Sequence, residues 1–301
     1  MQSSRKLVIY AALVGNTLIA ITKFLAAYFT SSSAMFSEGI HSLVDTGNQV
    51  LLLYGLKRSQ LPASERFPFG HGKEIYFWSF VVAIMIFAVG AGVSIYEGIH
   101  RLYDPSQVQN FIINYTVLGF AIIFEGFAWY FAFREFSRSR GEWGYFEAVH
   151  KGKDPTMFVV LFEDTAAMMG LLVALSANIL SQLTGLYVFD AAASIIIGLI
   201  LAVTAVWLAY ETKSLLIGER ANTHVVDGIR QLATDFSKID HLNEVLTMHM
   251  GPDFILVNIS VGFVEPITGE EIETTVAKLD NAIKNRFSNV KRIFIEAESR
   301  H

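Results

Sequence analysis

Cysteine is absent from the 301 residues, which excludes disulfides and thiolate metal centres. Any metal would have to be held by His, Asp, Glu, backbone or water, a donor set that favours Zn, Mn, Fe or Co over Cu(I). Charge is scarce as well. Asp, Glu, Lys and Arg make up 17% of the chain, against about one quarter in an ordinary soluble domain. The net charge of −5 gives no hint of a nucleic-acid partner. The sequence also lacks low-complexity segments, glycine-rich phosphate loops and any nucleophile constellation. What is abundant is apolar: 52% of residues are hydrophobic and the mean hydropathy is +0.42. Such a chain has the lipid bilayer as its solvent.

Six stretches suit membrane spans of ~20 residues, at about 7–29, 34–56, 76–99, 111–133, 157–180 and 187–209. Arg5 and Lys6 before an apolar run superficially resemble a signal peptide. The run is long for a signal core and carries Asn16 and Lys23, so it reads as a retained first span. One set of connections holds Arg5, Lys6, Lys57, Arg58, Arg66, Lys73, Arg134, Arg138, Arg140, Lys151 and Lys153, whereas the opposite set holds Arg101 alone. The positive-inside rule then predicts an integral, multi-pass protein with both termini in the cytoplasm.

The chain is organised around SEGIHSLVD, residues 37–45, inside the second span. On a helix, His41 and Asp45 lie about 40° apart and roughly 6 Å along the axis, so both can touch one ligand. Burying these groups in hydrocarbon costs at least a few kcal/mol, so they should face a partner, a cavity or an ion. The answering groups are Glu163 and Asp164 in LFEDTAAMMG of the fifth span. Counting ~1.5 Å per residue from the span ends puts His41, Asp45 and Asp164 near one level at the midplane. Two short acidic patches on two membrane helices suggest a cation site.

Other intramembrane charges need accounting. Lys23 and Glu38 fall at one depth on adjacent helices, where they can form an ion pair; otherwise Glu38 is a ligand or a transient proton carrier. Glu125 in the fourth span has no obvious partner and reads as a relay or packing-network group rather than a ligand. Glu97 and Asp190 lie near the outer surface, where solvation is cheap.

The first domain spans 1–210 and a different material follows at 211–301. Thr223 is placed to cap a helix with the apolar face Val226, Ile229, Leu232, Ala233 and Phe236. Two strand-like runs, EVLTMHM and FILVNISVGFV, flank Gly251-Pro252-Asp253, with Ile255, Val257, Ile259, Val261 and Phe263 on one face. Ile272, Val276, Leu279, Ile283 and Phe287 mark a second amphipathic helix, and RIFIEAE a last strand. The fold class is therefore α-helical membrane protein, six transmembrane helices followed by a small αββαβ domain of the α+β class. So small a core favours a homodimer.

These residues resemble the cation diffusion facilitator family over nearly the whole chain. SEGIHSLVDTGNQ is similar to its second-helix stretch, FPFGHGK (67–73) to the signature before the third helix, and EGIHRL (97–102) to the end of that helix. DAAASIIIGLIL (190–201) resembles the sixth-helix signature and LLIGER (215–220) the entry to a ferredoxin-like cytoplasmic domain. DPTMFVVLFEDTAA resembles the branch that includes eukaryotic zinc transporter nine. The resemblance implies a homodimeric exporter, not an enzyme, that exchanges a cytoplasmic divalent cation for protons at a site on the second and fifth helices. A bacterial inner membrane is the expected location, and no resident cofactor is expected.

Carried over residue by residue, His41, Asp45 and Asp164 match family ligands, but Val160 stands where a fourth is usual. Glu163 or water could complete a four-coordinate Zn2+ shell. Zn2+ suits one imidazole with carboxylates, and Mn2+ or Fe2+ suits an oxygen-rich shell. Of the family's loop site only His71 remains, and a structural role in a Gly-His-Gly turn is the simpler reading. His249, Glu296 and Glu298 of the last domain could bind a metal or simply face water. Metal and protons compete for the same lone pairs, and histidine, with its ordinary pKa of ~6.5, suits the exchange. Two other classes stay open: a membrane metalloenzyme, and a metal-binding subunit or sensor that does not transport.

Overall fold

The computed structural model describes residues 2–104, 110–140 and 144–299. The side chains of Arg5, Lys6 and Lys151, counted above for orientation, lie outside the described set. The chain divides into two compact units, Met1–Gly55 with Phe77–Thr212, and Leu56–Tyr76 with Lys213–His301.

The first unit is built from six long helices that follow the six predicted spans in order. They are α1 (Gln2–Thr30), α2 (Ser33–Ser59), a third in three pieces, then α5 (Phe111–Ser139), α7 (Pro155–Thr184) and α8 (Val188–Ile217). The third consists of α3 (Glu74–Met85), a π-helical turn (Ile86–Ala91) and α4 (Gly92–Tyr103). A short α6 (Tyr145–Lys151), not foreseen from the sequence, lies between α5 and α7. At ~1.5 Å per residue each long helix exceeds the ~30 Å hydrocarbon core. Among the described residues four helices are long and apolar enough to cross a membrane by length and composition alone: Glu74–Tyr103, Phe111–Arg138, Phe158–Thr184 and Val188–Ile217. In α2 that apolarity is diluted by the groups that matter most, Glu38, His41, Asp45 and Asn48.

Local chemistry sets the helix ends. Ser31 turns the chain between α1 and α2 at φ 55°. Asp154 caps α7, its Oδ1 accepting from Thr156 N at 3.0 Å with Pro155 behind it. Gly185, at φ 70°, ends the same helix in the left-handed region. Phe120, Phe124, Phe127, Tyr130 and Phe131 of α5 are each more than half exposed, a surface that suits lipid.

Asp190 does not behave as a cheaply solvated surface group. It is 5% exposed and caps the start of α2. Its Oδ1 accepts from Ser32 Oγ at 2.5 Å, and its Oδ2 from Ser33 N at 2.6 Å, Ser33 Oγ at 2.8 Å and Ala34 N at 3.4 Å. The helix N-terminus that would otherwise carry orphan N–H groups is thus satisfied from α8. A hydroxyl hydrogen bond between Ser37 and Ser194 continues the same seam. Glu97 fits its expectation more closely, forming a part-exposed ion pair with Arg101 at 2.8 Å.

The second unit has the predicted order: α9 (Thr223–Thr234), β1 (Ile239–Gly251), β2 (Phe254–Phe263), α10 (Gly269–Arg286) and β3 (Val290–Ala297). The sheet order is β1-β2-β3, antiparallel then parallel, with α10 as the crossover. Its core joins Val226, Ile229 and Ala233 of α9 to Ile255, Val257, Ile259 and Val261 of β2, and to Leu279 and Ile283 of α10. Burying each of these Val, Ile and Leu side chains contributes about 1.5–3 kcal/mol. Two details differ from the sequence reading. Asn222, not Thr223, holds the N-cap position of α9. β1 begins at Ile239, five residues before the apolar run starts at Glu244, because pairing with β2 continues through two irregularities.

The loop 60–73 also belongs to this unit. Gly72 lies against the backbone of Met250 and Gly251, where a Cβ would overlap the Met250 carbonyl. Lys73 Nζ approaches Leu216 O at 3.4 Å, and partial burial lowers its pKa from the ordinary lysine value.

Candidate metal site

Helical spacing presents His41, Asp45 and Asn48 of α2 on one face, at positions i, i+4 and i+7. All three are buried, at 1%, 8% and 1% exposure. His41 Nδ1 lies 3.4 Å from Asp45 Oδ1. Neither ring nitrogen of His41 nor Asp45 Oδ1 has a hydrogen-bond partner. Orphaned polar atoms at this burial mark a site built for something else.

Helix α7 supplies the other half. The carboxyl of Glu163 meets that of Asp45 at hydrogen-bonding range, and Asn48 Nδ2 donates to Glu163 Oε1 at 2.5 Å. Two carboxyl groups so close must hold a proton between them or a cation beside them. Asp164 lies within electrostatic range of Asp45 and Glu163 and is not hydrogen-bonded to either. Position 160, one turn before Asp164, is the half-buried Val160 and offers no donor. Among the described residues no three His, Asp or Glu side chains converge as a finished metal centre. His41, Asp45 and Glu163 are therefore brought together as a chain of contacts, with Asp164 beside them.

Asn48 escaped the sequence reading of the site, and Glu125 was read there as a relay or packing-network group. Asn48 was legible in principle, since seven residues from His41 returns to the same helical face. Glu125 of α5 lies within interaction range of Lys23, Glu38, Asp45, Glu163 and Asp164, a convergence that no spacing within one helix reveals.

Toward the α1–α2 turn, Lys23 and Glu38 form the expected ion pair. Lys23 Nζ lies 3.0 Å from Glu38 Oε2 and donates to Ser42 Oγ at 2.8 Å, with both charged side chains fully buried. Glu38 Oε1 has no hydrogen-bond partner and packs on Gly170 of α7, where a Cβ would overlap it. Glycine at 170 is what lets the carboxylate fit.

The secondary candidates fare differently. The His71 ring centroid lies 4.4 Å from that of Phe67, the two rings tilted at 48°, and its Nδ1 lies 3.5 Å from Oε1 of Glu74 at the start of α3. Glu74 itself also takes Arg58, at 3.0 Å. His249 is 2% exposed rather than water-facing, with Nδ1 3.4 Å from Gly251 O. Glu296 accepts from Asn258 at 3.2 Å and Glu298 from Ser260 at 2.5 Å. In the strand register His249 stands opposite Ile255, whereas Glu296 stands opposite Ser260, five residues along β2. These three residues do not come together.

Comparison with known proteins follows the same outline. The cation efflux transmembrane domain matches residues 9–217. The chain is 32% identical over 246 residues to the mitochondrial proton-coupled zinc antiporter of Mus musculus, covering 81% of this chain and 43% of that protein. It is 29% identical over 243 residues to metal tolerance protein C4 of Arabidopsis thaliana, covering 80% and 53%. The manganese efflux system protein MneP of Bacillus subtilis is 22% identical over 299 residues, covering 98% and 95%. The chain thus spans about half the length, or less, of the first two relatives. These relatives are transporters, not enzymes. A domain match over residues 9–217, six long helices with a small αββαβ tail, and the branch marked by DPTMFVVLFEDTAA agree: the chain belongs to the cation efflux, or cation diffusion facilitator, family, near the branch of zinc transporter nine.

Proposed function

We propose that this protein exports a divalent metal cation, Zn2+ in the first place, in exchange for protons, by alternating access around His41, Asp45, Glu163 and Asp164. The observation that carries the reading is the meeting of Asp45 and Glu163 across α2 and α7, beside a buried His41 ring with neither nitrogen hydrogen-bonded. A proton can hold the two carboxyls together, and a cation can take its place. On this reading His41 and Asp164 complete the shell when the ion is bound.

Charge makes the exchange. Arriving metal displaces protons from the lone pairs it needs, and returning protons release it on the other side. With both termini cytoplasmic, the α2–α3 end of the bundle faces the cytoplasm and the α1–α2 turn faces outward. The bilayer is a bacterial inner membrane on this reading, although the mouse relative is named as mitochondrial. Function as a homodimer is part of the proposal.

A second metal has support of its own. Three carboxylates to one imidazole form an oxygen-rich set, and one relative over nearly the full chain is named for manganese efflux. The test is uptake of Zn2+ and Mn2+ into proteoliposomes with and without a pH gradient, wild type beside Asp164→Asn. Gradient-driven Zn2+ flux that disappears in the variant supports the antiporter. Binding without flux replaces it with a sensor or subunit, and Mn2+ preference reassigns the cargo.

A further inference from the structure

The acidic groups of the first unit extend past the two helices that hold the candidate ligands. Glu125, at 9% exposure, is on α5. That helix runs antiparallel to α7 and is tied to it at three places: Asn114 to Asn178 at 3.2 Å, Tyr115 to Gln182 at 2.6 Å and Trp129 to Thr165 at 3.0 Å. Glu125 is one turn from Trp129, so this register sets it opposite about residues 168–170 of α7. That level is more than one turn from Asp164 toward the α1–α2 turn. It is also the level of Gly170, on which the unpartnered Oε1 of Glu38 packs.

Two further carboxyl groups, Glu38 on α2 and Glu125 on the additional helix α5, therefore stand on the α1–α2-turn side of the Asp45–Glu163 contact. Within their range lies the Lys23 ammonium, two of whose three N–H groups are taken by Glu38 and Ser42. Lys23 is a single ammonium facing five carboxyl groups, those of Glu38, Asp45, Glu125, Glu163 and Asp164. Glu125 has no hydrogen bond among the described residues that would explain its burial as packing. A carboxylate left this way in a membrane helix calls for a cation.

We propose that Glu125 is part of the cation route: its carboxylate supplies fixed negative charge on the side of Asp164 nearer the α1–α2 turn and, with Glu38, receives the divalent ion as it leaves the α2–α7 ligands. The inference deepens the proposed function and rests on it for the nature of the ion. Glu125 is set apart from a packing group by charge dependence.

The experiment compares wild type, Glu125→Gln, Glu125→Asp and Asp164→Asn as full-length protein. Zn2+ binding is read in detergent and the Zn2+ dependence of flux in proteoliposomes. Glu125→Gln should weaken Zn2+ binding about tenfold through loss of one charge acting on a dication, with flux reduced as well. Glu125→Asp should restore affinity to near wild type. Unchanged binding and flux in Glu125→Gln, or equal weakness in the folded Gln and Asp variants, overturns the inference. A measurement on wild type covers the case in which a variant does not fold. Zn2+ should protect Glu125 from carbodiimide labelling read by mass spectrometry, and absence of protection also overturns the inference. If Asp164→Asn binds Zn2+ normally, the proposed site itself fails. If only Glu125→Gln binds normally, the site stands and this inference alone falls.

Discussion

Asp45 on α2 and Glu163 on α7 meet carboxyl to carboxyl, and Asn48 Nδ2 holds the Oε1 of Glu163 at 2.5 Å. This contact joins two helices by a bond whose strength depends on what sits in it. With a proton it is a hydrogen bond; with two bare carboxylates it is a repulsion; with a dication it is a chelate. Under the proposed function, a conformational change that separates α2 from α7 would be coupled, through these two residues, to whichever cation is present.

That coupling predicts unequal effects within the trio. Glu163→Gln keeps a hydrogen bond to Asp45 and removes the charge, so metal flux should be lost while the fold persists. Asn48→Ala removes only the group that orients Glu163, and the loss should be partial, on the order of 10–100-fold in metal affinity, as for other outer-shell partners. Flux assays beside a thermal melt in detergent check both. Equal, complete loss in the two variants would assign Asn48 a direct ligand role.

Replacing the only imidazole of the set tests its softness. His41→Asp makes the shell all oxygen, which should shift transport from Zn2+ toward Mn2+. Competition between the two ions in proteoliposomes reads the shift, and an unchanged ratio means that His41 does not touch the ion.

The reason for what the sequence could and could not disclose is geometric. His41–Asp45 and the LFEDT patch were visible because one helix repeats every 3.6 residues and charge stands out in an apolar run. The alternation of Ile255, Val257, Ile259 and Val261 fixed the buried face of β2 for the same kind of reason. The role of Asp190 was hidden because its four partners lie more than 150 residues away, at Ser32, Ser33 and Ala34. Glu125 was visible as a charge and opaque as a function, since only the packing of α1, α2, α5 and α7 shows what it faces. His249 looked exposed in an alternating strand, and packing buried it.

The Lys23–Glu38 pair carries a stability prediction. Lys23→Met leaves a fully buried carboxylate without its counter-charge, which should destabilise the protein by roughly 3–5 kcal/mol. Lys23→Met combined with Glu38→Gln removes both charges and should recover most of that loss. Thermal unfolding in detergent measures the pair, and a double variant as unstable as the single would deny the ion pair its structural role.

At the start of α10 the chemistry is open to solvent and predicts a pH dependence. Glu271 accepts from Lys238 Nζ at 2.8 Å and from Thr268 N at 3.0 Å, while Thr268 Oγ1 accepts from Glu271 N at 3.3 Å. The hydrogen bond from Lys238, then the Thr268 amide and the Lys238 charge, hold the Glu271 pKa below its ordinary 4.5. A depressed carboxylate stabilises the folded state above its unfolded pKa, and that contribution is lost as pH falls through the folded value. Amide protection in the first turn of α10 should therefore weaken at acid pH, and Glu271→Gln should lose most of this dependence. Hydrogen exchange across acid pH measures it.

Asp190 makes the last prediction, because it ties the candidate site to a helix end eight residues away from His41. Asp190→Ala strips Ser33 N and Ala34 N of their acceptor and leaves the positive end of α2 without its carboxylate. Loss of such a cap costs about 0.5–2 kcal/mol. The damage should be local: faster hydrogen exchange at 33–36, with the helices around Trp129 and Thr165 unaffected. Since α2 carries His41 and Asp45 in rigid phase with its first turn, a frayed start lets those side chains wander, and metal affinity should fall although no ligand has changed. Asp190→Asn retains an acceptor for Ser33 N and should fall between wild type and alanine in both measurements. If alanine frees the helix end yet leaves metal affinity intact, the site is held by α2's contact with α7 alone, and the seam to α8 serves only the fold.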